Sequence, residues 1–362
     1  MVRWPSIVAG LRRFMRRPPW WVIAVVILAA VTGVMAAFLG RTVIQAAIQG
    51  VVVGSIYVLG ASGLSLTYGI RRFANFAHGD FMTVGAYVAF TVNVLLGQNI
   101  LWGVVLAIPT VALLGMLLEL SVFRRLEGRP VAALIASVGI ALVLQNAISA
   151  IFLPDFLYLN VSVPRDFEIA NTGLSFNWIK GGLTLGVSFT LIVFLHVMLK
   201  YTTLGKAMRA CADNIDLART SGVNTRNVIL WTWAISGAFA AVAGVLLAII
   251  VNVNPLLGFF VLLFLFSAVI VGGIGSPYGA MIGGLLVGVV QKLSNVGFGA
   301  LQRAGLIEGG SVYEPAGAFL VMILVLLIKP EGIMGATRER IGGRAVWRRP
   351  RRRREVVTSG RP

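Results

Sequence analysis

The chain has 362 residues, of which 58% are hydrophobic and only 12% are charged. A soluble globular domain carries about 25% charged residues, so this composition excludes an ordinary water-soluble protein and indicates one whose natural solvent is lipid. The formal net charge of +18 would suggest a nucleic-acid partner for a soluble protein, but in a membrane protein the side on which the charges lie matters more. Cys211 is the single cysteine, so no intrachain disulfide can form.

Ten mostly apolar stretches approach the roughly 20 residues that a membrane-spanning helix needs. They predict an all-α polytopic membrane protein with about ten transmembrane helices, and eight or nine spans are also compatible with the pattern. The predicted spans are 20–39, 43–69, 75–96, 100–122, 131–153, 183–199, 228–252, 258–273, 278–294 and 315–328. The first follows a basic segment, but its apolar run exceeds the roughly 7–15 residues of a cleavable signal peptide, so we expect it to be retained.

Lysine and arginine fall mainly on one side of the predicted membrane. With the N-terminus inside, 26 of the 31 lie in cytoplasmic segments and five on the other side, which is the positive-inside pattern and predicts that both termini are cytoplasmic. Residues 1–19 then form a basic N-terminal segment, 20–336 the transmembrane domain, and 337–362 an Arg-rich disordered tail. We expect the tail to attract anionic lipid and not nucleic acid.

No catalytic or metal-binding set stands out. His78, His196 and Cys211 cannot supply a typical zinc cluster, and no Gly-rich loop with Lys-Ser/Thr could cradle a nucleotide. We therefore expect no enzymatic activity, no metal and no cofactor in this chain, and any ATP would be bound by another subunit. The outer loop at about 154–180 is long enough for a strand or a short surface helix that contacts a partner, or it simply caps the bundle.

A polar break joins the second and third spans and contains Asn75, His78, Gly79 and Asp80. Ionisable groups at membrane depth are costly, which makes them functional candidates. The alternative is that His78 and Asp80 lie at the membrane interface and cap the third span, where Asp80 would favour the positive end of the helix dipole. Asp80 and Glu119 are the only acids within the predicted spans, and both are expected near the cytoplasmic ends.

The inner loop at about 200–227 predicts a short amphipathic helix. Its apolar face comprises Met208, Cys211, Ala212, Ile215 and Ala218. Its polar and charged positions are Arg209, Asp213, Asp216 and Arg219, and Gly222 is a natural stop. We expect one rigid helix over Met208–Arg219 that docks into a partner subunit, because a helix lying in the lipid interface would need a larger, more aromatic face.

Glycines mark a third segment, in which Gly272, Gly273 and Gly275 precede a helix start at Ser276-Pro277. Gly275, Gly279 and Gly283 are predicted to form a flat ridge for close helix packing, and a pore-lining role is the alternative. Gly50 and Gly54 repeat the pattern in the second span.

These segments, in this order, resemble the permease subunits of bacterial branched-chain amino-acid ABC importers. The likeness runs from about Gln45 to Gly335. Its motifs are Gly-Ser-Ile-Tyr at 54–57, Gly-Leu-Ser-Leu-Thr-Tyr-Gly at 63–69, Asn-Phe-Ala-His-Gly-Asp at 75–80, Gly-Ala-Tyr at 85–87, Arg-Ala-Cys-Ala-Asp at 209–213 with Gly-Val-Asn at 222–224, Gly-Gly-Ile-Gly-Ser at 272–276 and Lys-Pro-Glu-Gly-Ile-Met-Gly at 329–335. Urea, nucleoside and sugar importers use related permeases, but the Asn-Phe-Ala-His-Gly wording is more similar to the amino-acid branch.

The resemblance implies import of branched-chain or related amino acids across the bacterial cytoplasmic membrane. It implies a paralogous second permease as a heterodimer partner, two cytoplasmic ATPase subunits that bind ATP and Mg, and an extracytoplasmic substrate-binding protein. The loop 204–222 would couple the ATPases to the spans, although it lacks the Glu-Ala-Ala triplet of many importers. Candidate pathway residues are Gln49, Ser55, Tyr57, Asn146 and Asn252, each of which could equally bond a neighbouring helix. An ion-coupled transporter or channel is the competing class.

Overall fold

The computed structural model describes residues 20–153, 156–162, 166–168 and 174–334. The predictions for the basic N-terminal segment and for the Arg-rich tail lie outside these residues. The described part contains twelve α-helices: α1 (Trp20–Leu39), α2 (Arg41–Arg71), α3 (His78–Phe90), α4 (Ile100–Ser121), α5 (Pro130–Phe152), α6 (Thr184–Tyr201), α7 (Thr203–Asp213), α8 (Ile215–Thr220), α9 (Thr225–Ile250), α10 (Leu257–Gly272), α11 (Pro277–Arg303) and α12 (Glu314–Ile328).

Ten of these helices coincide with the ten predicted spans, and only α7 and α8 do not. The π-helix Thr91–Leu95 continues α3, and the π-helix Trp178–Leu183 leads into α6. By length and composition, seven helices of the described chain could cross a membrane, while α10 and the Val26–Ala37 part of α1 are shorter apolar helices. The prediction of an all-α polytopic membrane protein is confirmed. The direction in which the chain crosses the membrane stays a prediction.

A small antiparallel sheet and the two short helices mark the two ends of the bundle. Strands β1 (Phe167–Glu168) and β2 (Ser175–Phe176) pair just before the start of α6. The short helices α7 and α8 follow the other end of α6. We call these the sheet end and the α7–α8 end. Gln45, near the start of α2, bonds β2 through two hydrogen bonds, Nε2 to the carbonyl of Ser175 at 2.8 Å and the Ser175 N–H to Oε1 at 3.0 Å. The helix α2 therefore runs from the sheet end to the α7–α8 end.

The core is built around α2, which packs along α11 more extensively than any other pair of described helices. A Cβ on Gly50 would lie 2.6 Å from the Cα of Val289, and one on Gly54 would lie 3.1 Å from the Cα of Leu285, so side chains are excluded where these helices cross. The close packing predicted for Gly50 and Gly54 is confirmed.

The predicted glycine ridge on α11 is only partly correct. Gly279 and Gly283 lie against the backbone of α10, where a Cβ would not fit. Gly275, in contrast, precedes the helix and has a φ of +80°, so it belongs to the turn before α11 and not to the ridge. The predicted helix start is confirmed, because the hydroxyl of Ser276 accepts the N–H of Gly279 at 3.1 Å and Pro277 is the first helical residue.

Candidate functional site

The loop predicted to carry one amphipathic helix folds as two, α7 and α8, which are separated at Asn214. Asn214 has an extended backbone, with φ −155° and ψ 111°. Its Oδ1 accepts hydrogen bonds from the backbone N–H groups of Asp216 and Leu217, both at 3.0 Å. An asparagine that caps the following helix does not continue the preceding one. The prediction of a continuous helix over Met208–Arg219 is therefore wrong.

The apolar side of this helix pair faces the protein itself. Met208, Cys211 and Ala218 are buried and belong to the same core cluster as the membrane helices. Ala212 and Ile215 are half-buried against that cluster. The structure thus contradicts the expectation that this face docks into a partner, because it already anchors the pair to its own bundle.

The opposite side of the helix pair is exposed and mostly charged. It comprises Arg209, Asp213, Asp216, Leu217 and Arg219. Leu217 is the only large apolar side chain exposed on the described α7 and α8, with 65% of its surface accessible. Polar groups around an apolar side chain have the composition of a small docking surface. Nothing in the sequence pattern marked Leu217, because it lies off the apolar face.

Both ends of the helix pair are held by capping interactions. The hydroxyl oxygen of Thr202 accepts the N–H of Gly205 at 3.0 Å and caps α7. A Cβ at Gly205 would collide with the backbone of Leu199 in α6, so only glycine lets α7 fold back this closely. At the other end Gly222 has a φ of +85°, the left-handed conformation typical of a helix stop, as predicted.

Two consecutive arginines at the end of α2 connect the helix pair to the membrane helices. Nη2 of Arg72 donates a hydrogen bond to the carbonyl oxygen of Ala212 in the last turn of α7. Arg71 forms an ion pair with Glu119 of α4, and both side chains are buried, at 7% and 3% exposure. The prediction that Glu119 lies near this end of its span is confirmed, whereas its pairing with Arg71 was not foreseen.

The polar break Asn75–Asp80 lies inside the bundle and not at its surface. His78 and Asp80 are 0% and 1% exposed, the residue before α3 is Ala77, and no side chain caps that helix. Nε2 of His78 lies 2.9 Å from the carbonyl oxygen of Gly60. Gly60 lies within α2, and at a rise of 1.5 Å per residue it is about 16 Å from the C-terminal end of that helix. The chain therefore re-enters the bundle after α2, which rules out interfacial capping and places Asp80 deeper than predicted.

The side chains of this break connect α3 to its neighbours. Oδ1 of Asn75 accepts the backbone N–H two residues later at 3.1 Å, and Gln145 of α5 donates to Oδ1 of Asp80 at 3.0 Å. Gly79 lies against the backbone of Gly258 in α10, where a Cβ would not fit. Irregular backbone at membrane depth is tolerated only where protein or a cavity surrounds it. The motif thus fixes the centre of the bundle, and a gating role stays a prediction.

The predicted motif residues Gly272, Gly273 and Gly275 form the turn between α10 and α11, which the C-terminal motif closes. Gly273 and Gly275 have φ values of +115° and +80°. The N–H groups of Ile333 and Met334 donate to the last two carbonyl groups of α10 at 2.8 and 2.9 Å. Two motifs that are distant in sequence therefore form one structural unit.

A cavity of about 600 Å³ opens at the sheet end between α2, α9, α10 and α11. Three of the predicted pathway residues, Gln49, Tyr57 and Asn252, line it. Ser55 and Asn146 do not line it. Each side chain bonds a carbonyl of its own helix, at 2.7 and 2.8 Å; Ser55 is buried, and Asn146 lies on the exposed side of α5.

Sequence reasoning missed a polar cluster on the wall of this cavity. The hydroxyl of Tyr57 donates to Oε1 of Gln291 at 2.7 Å. Gln291, Lys292 and Asn295 all donate to the carboxylate of Glu314, at 2.9, 2.7 and 2.6 Å. Gln291 and Lys292, adjacent polar residues at the end of the predicted span 278–294, were a signal of such a cluster. Their acidic partner could not be identified, because Glu314 lies outside that span and begins another helix, α12.

The cavity combines charged groups of both signs with an apolar wall. Lys180 and Asp166 line it from the side of the sheet. On the opposite wall, the ring of Phe264 stacks on Tyr57 with centroids 5.4 Å apart. A pocket of this size with a few convergent polar groups is typical of a small-molecule site, and its mixture suits a small zwitterion with an apolar part.

Comparison with known proteins shows which family this sequence is similar to. Residues 46–328 match the family model described as branched-chain amino acid transport system / permease component. The high-affinity branched-chain amino acid transport system permease protein LivH of Salmonella typhimurium is 34% identical over 311 residues, covering 81% of this chain and 95% of that protein. The probable branched-chain amino acid transport permease proteins LivH and LivM of Methanocaldococcus jannaschii are 33% and 26% identical, covering 79% and 78% of this chain and 90% and 83% of theirs.

The match extends from the first turns of α2 to the end of α12. It includes the helix pair, the re-entrant break and the cavity. The chain therefore belongs to the family of branched-chain amino acid transport system permease components.

Proposed function

We propose that this protein is the membrane-spanning subunit of an ATP-driven importer that moves branched-chain amino acids into the cytoplasm. The layout of the bundle carries the proposal, since a mixed polar and apolar cavity lies at one end and an anchored helix pair with a free charged surface at the other. The bias of Lys and Arg favours the α7–α8 end on the cytoplasmic side, with both termini, in the bacterial cytoplasmic membrane.

The exposed side of α7 and α8 is the contact for a cytoplasmic ATPase subunit. Both helices are fixed to the bundle by the buried face with Met208, Cys211 and Ala218, so a force applied from outside moves them as one body. Leu217 and the charged residues around it are exposed and can be reached by a partner. ATP and Mg are bound by that partner, because this sequence has no nucleotide-binding loop.

The cavity at the sheet end is the outer part of the substrate pathway. Gln49 and Asn252 offer amide groups, Lys180 a cation, and Phe264 an apolar surface. Such groups complement the carboxylate, the ammonium and the branched side chain of the proposed substrates. Closure of the ATPase pair would move the helix pair and switch the bundle between outward-facing and inward-facing arrangements.

Two further protein partners follow from the family, and a lipid partner follows from the charge of the tail. A second, paralogous permease would complete the pathway, and the similarity of this chain to both LivH and LivM of one organism supports a heterodimer. An extracytoplasmic binding protein would deliver substrate at the sheet end. The Arg-rich tail would attract anionic lipid of the inner leaflet.

The proposal is tested by purifying the protein from membranes in mild detergent and identifying its partners by mass spectrometry. We expect a paralogous permease and two ATPase subunits, and we expect the complex in proteoliposomes, together with its binding protein, to take up leucine only when ATP is supplied. Recovery of this chain alone, active without ATP, would favour an ion-coupled carrier or channel. Uptake of urea, a nucleoside or a sugar in place of leucine would keep the class and change the substrate.

A further inference from the structure

Arg72 has an unusual backbone conformation at a junction of three elements. It follows the last residue of α2 with φ 58° and ψ 28°. Among the described residues, only Arg72 and Leu153 have a positive φ without being glycine. The left-handed region disfavours residues with a Cβ, so a structure that keeps an arginine there compensates with contacts of the side chain.

The side-chain contact of Arg72 is with α7. Its guanidinium donates to the carbonyl oxygen of Ala212, which is one of the last carbonyl groups of α7 and so has no partner within its helix. A cation at the C-terminal end of a helix also interacts favourably with the helix dipole. Arg72 therefore caps α7 from the end of α2.

The residues beside Arg72 make the end of α2 a rigid support. Arg71 is held by the buried ion pair with Glu119 of α4. Glu127, in the connection between α4 and α5, lies 3.7 Å from Arg71 and 3.8 Å from Arg219 of α8. The pair of Glu127 with Arg219 is exposed and contributes little by itself. Arg72 is exposed as well, but among the described residues its side chain makes the one hydrogen bond from the end of α2 directly to the helix pair.

The other end of α2 carries part of the cavity wall. The helix has 31 residues and at 1.5 Å per residue spans about 46 Å. Gln49 and Tyr57, in its first turns and middle, line the cavity at the sheet end. A displacement of α7 is thus delivered to a helix that reaches the cavity.

We infer that Arg72 is a positioning residue for energy coupling, which fixes α7 to the end of α2 so that movement of the helix pair shifts the cavity wall. This role rests on the proposed function. In this role, the side chain of Arg72 connects α7, which belongs to the proposed ATPase-binding surface, to α2, which lines the cavity.

The decisive variant is Arg72→Gly in the complete importer, reconstituted in proteoliposomes with its ATPase subunits and binding protein. Glycine adopts the observed backbone conformation without strain, so the variant removes the guanidinium and keeps the turn. Leu153→Gly is the matched control, because Leu153 also has a positive φ but lies at the far end of α5. Arg72→Lys retains the charge without the planar fork.

The measured quantity is leucine transported per ATP hydrolysed. For Arg72→Gly we expect a fall of about tenfold, with subunit recovery and basal ATPase activity within twofold of the wild type, an intermediate ratio for Arg72→Lys, and no change for Leu153→Gly. An unchanged ratio in Arg72→Gly, an equal fall in Leu153→Gly, or loss of the ATPase subunits from the Arg72→Gly complex would overturn the inference. A wild-type complex that does not use ATP for uptake would instead refute the proposed function.

Discussion

Ile215 and Leu217, two positions apart on α8, lie on opposite sides of that helix. Ile215 is half-buried against the core cluster, whereas Leu217 has 65% of its surface exposed. Ile215 therefore attaches α8 to the bundle, whereas Leu217 is available to a partner. Substitutions at the two positions separate these roles.

Leu217→Asp is expected to weaken binding of the ATPase without changing the stability of the protein. The side chain makes little contact within the chain, but a charge placed in a protein interface must be desolvated without a partner. Co-purification of the ATPase subunits should fall several-fold, while thermal unfolding of the isolated protein stays unchanged. Full recovery of the ATPase would remove Leu217 from the docking surface.

Ile215→Asp is the matched counterpart on the buried side. A carboxylate there would lie against apolar core residues, and we expect a loss of about 1–3 kcal/mol in the attachment of the helix pair. Proteolysis of the loop between α6 and α9 should become faster in this variant and not in Leu217→Asp. Equal protease sensitivity of the two variants would contradict the orientation of α8.

Tyr57→Phe tests the polar cluster on the cavity wall. The substitution keeps the stacking on Phe264 but removes the hydroxyl that donates to Gln291. We expect a loss of about 1 kcal/mol in stability, as for a single hydrogen bond, together with a raised KM for uptake because Gln291 is then held only by Glu314. Tyr158→Phe, at a tyrosine with 68% exposure, is the control and should behave as the wild type.

Asp80→Asn tests whether the deeply placed carboxyl carries a coupling ion. An asparagine oxygen accepts the hydrogen bond from Gln145 as the carboxylate does, so we expect ATP-driven uptake to persist within about threefold. Glu119→Gln, at the other acid of the predicted spans, should lower stability because the buried Arg71 loses its close carboxylate partner and keeps only the longer pair with Glu127. Complete loss of uptake in Asp80→Asn with the ATPases still bound would favour ion coupling.

Cys211 reports on the packing of α7, which lies outside the membrane-spanning helices. Burial raises the pKa of the Cys211 thiol above its ordinary value, and only the thiolate reacts rapidly. At pH 8 we expect alkylation by a maleimide to be much slower than that of a free cysteine, with the rate still rising at a pH where a free thiol has levelled off. Denaturation should restore rapid labelling, and rapid labelling of the folded protein would contradict the burial.

The positions of the ten apolar helices in the described chain could be predicted from sequence because length and hydropathy are local properties. The depth of the polar break could not. A break with Asn75, His78 and Asp80 is normally placed at the surface, since water satisfies polar groups there. Here the chain turns back into the bundle, and its polar groups bond Gly60 and Gln145, partners that belong to other helices and only the fold brings close.

The orientation of the helix pair was also beyond sequence reasoning. The apolar periodicity of Met208, Cys211, Ile215 and Ala218 correctly identified a face that becomes buried. Periodicity does not say whether the burying surface belongs to a partner or to the same chain. The break at Asn214 had a local signal, since asparagine is a strong N-cap, but the continuing apolar pattern masked it.

The crossing of α2 and α11 sets a constraint on biosynthesis. Gly54 meets its partners around Leu285, more than two hundred residues later in the chain. At about 5–20 residues per second of synthesis, α2 waits roughly 10–45 s in the membrane before α11 emerges. During that interval the glycine face of α2 that packs on α11 has no partner helix, so this face depends on the insertion machinery or on transient neighbours until the C-terminal half of the chain is made.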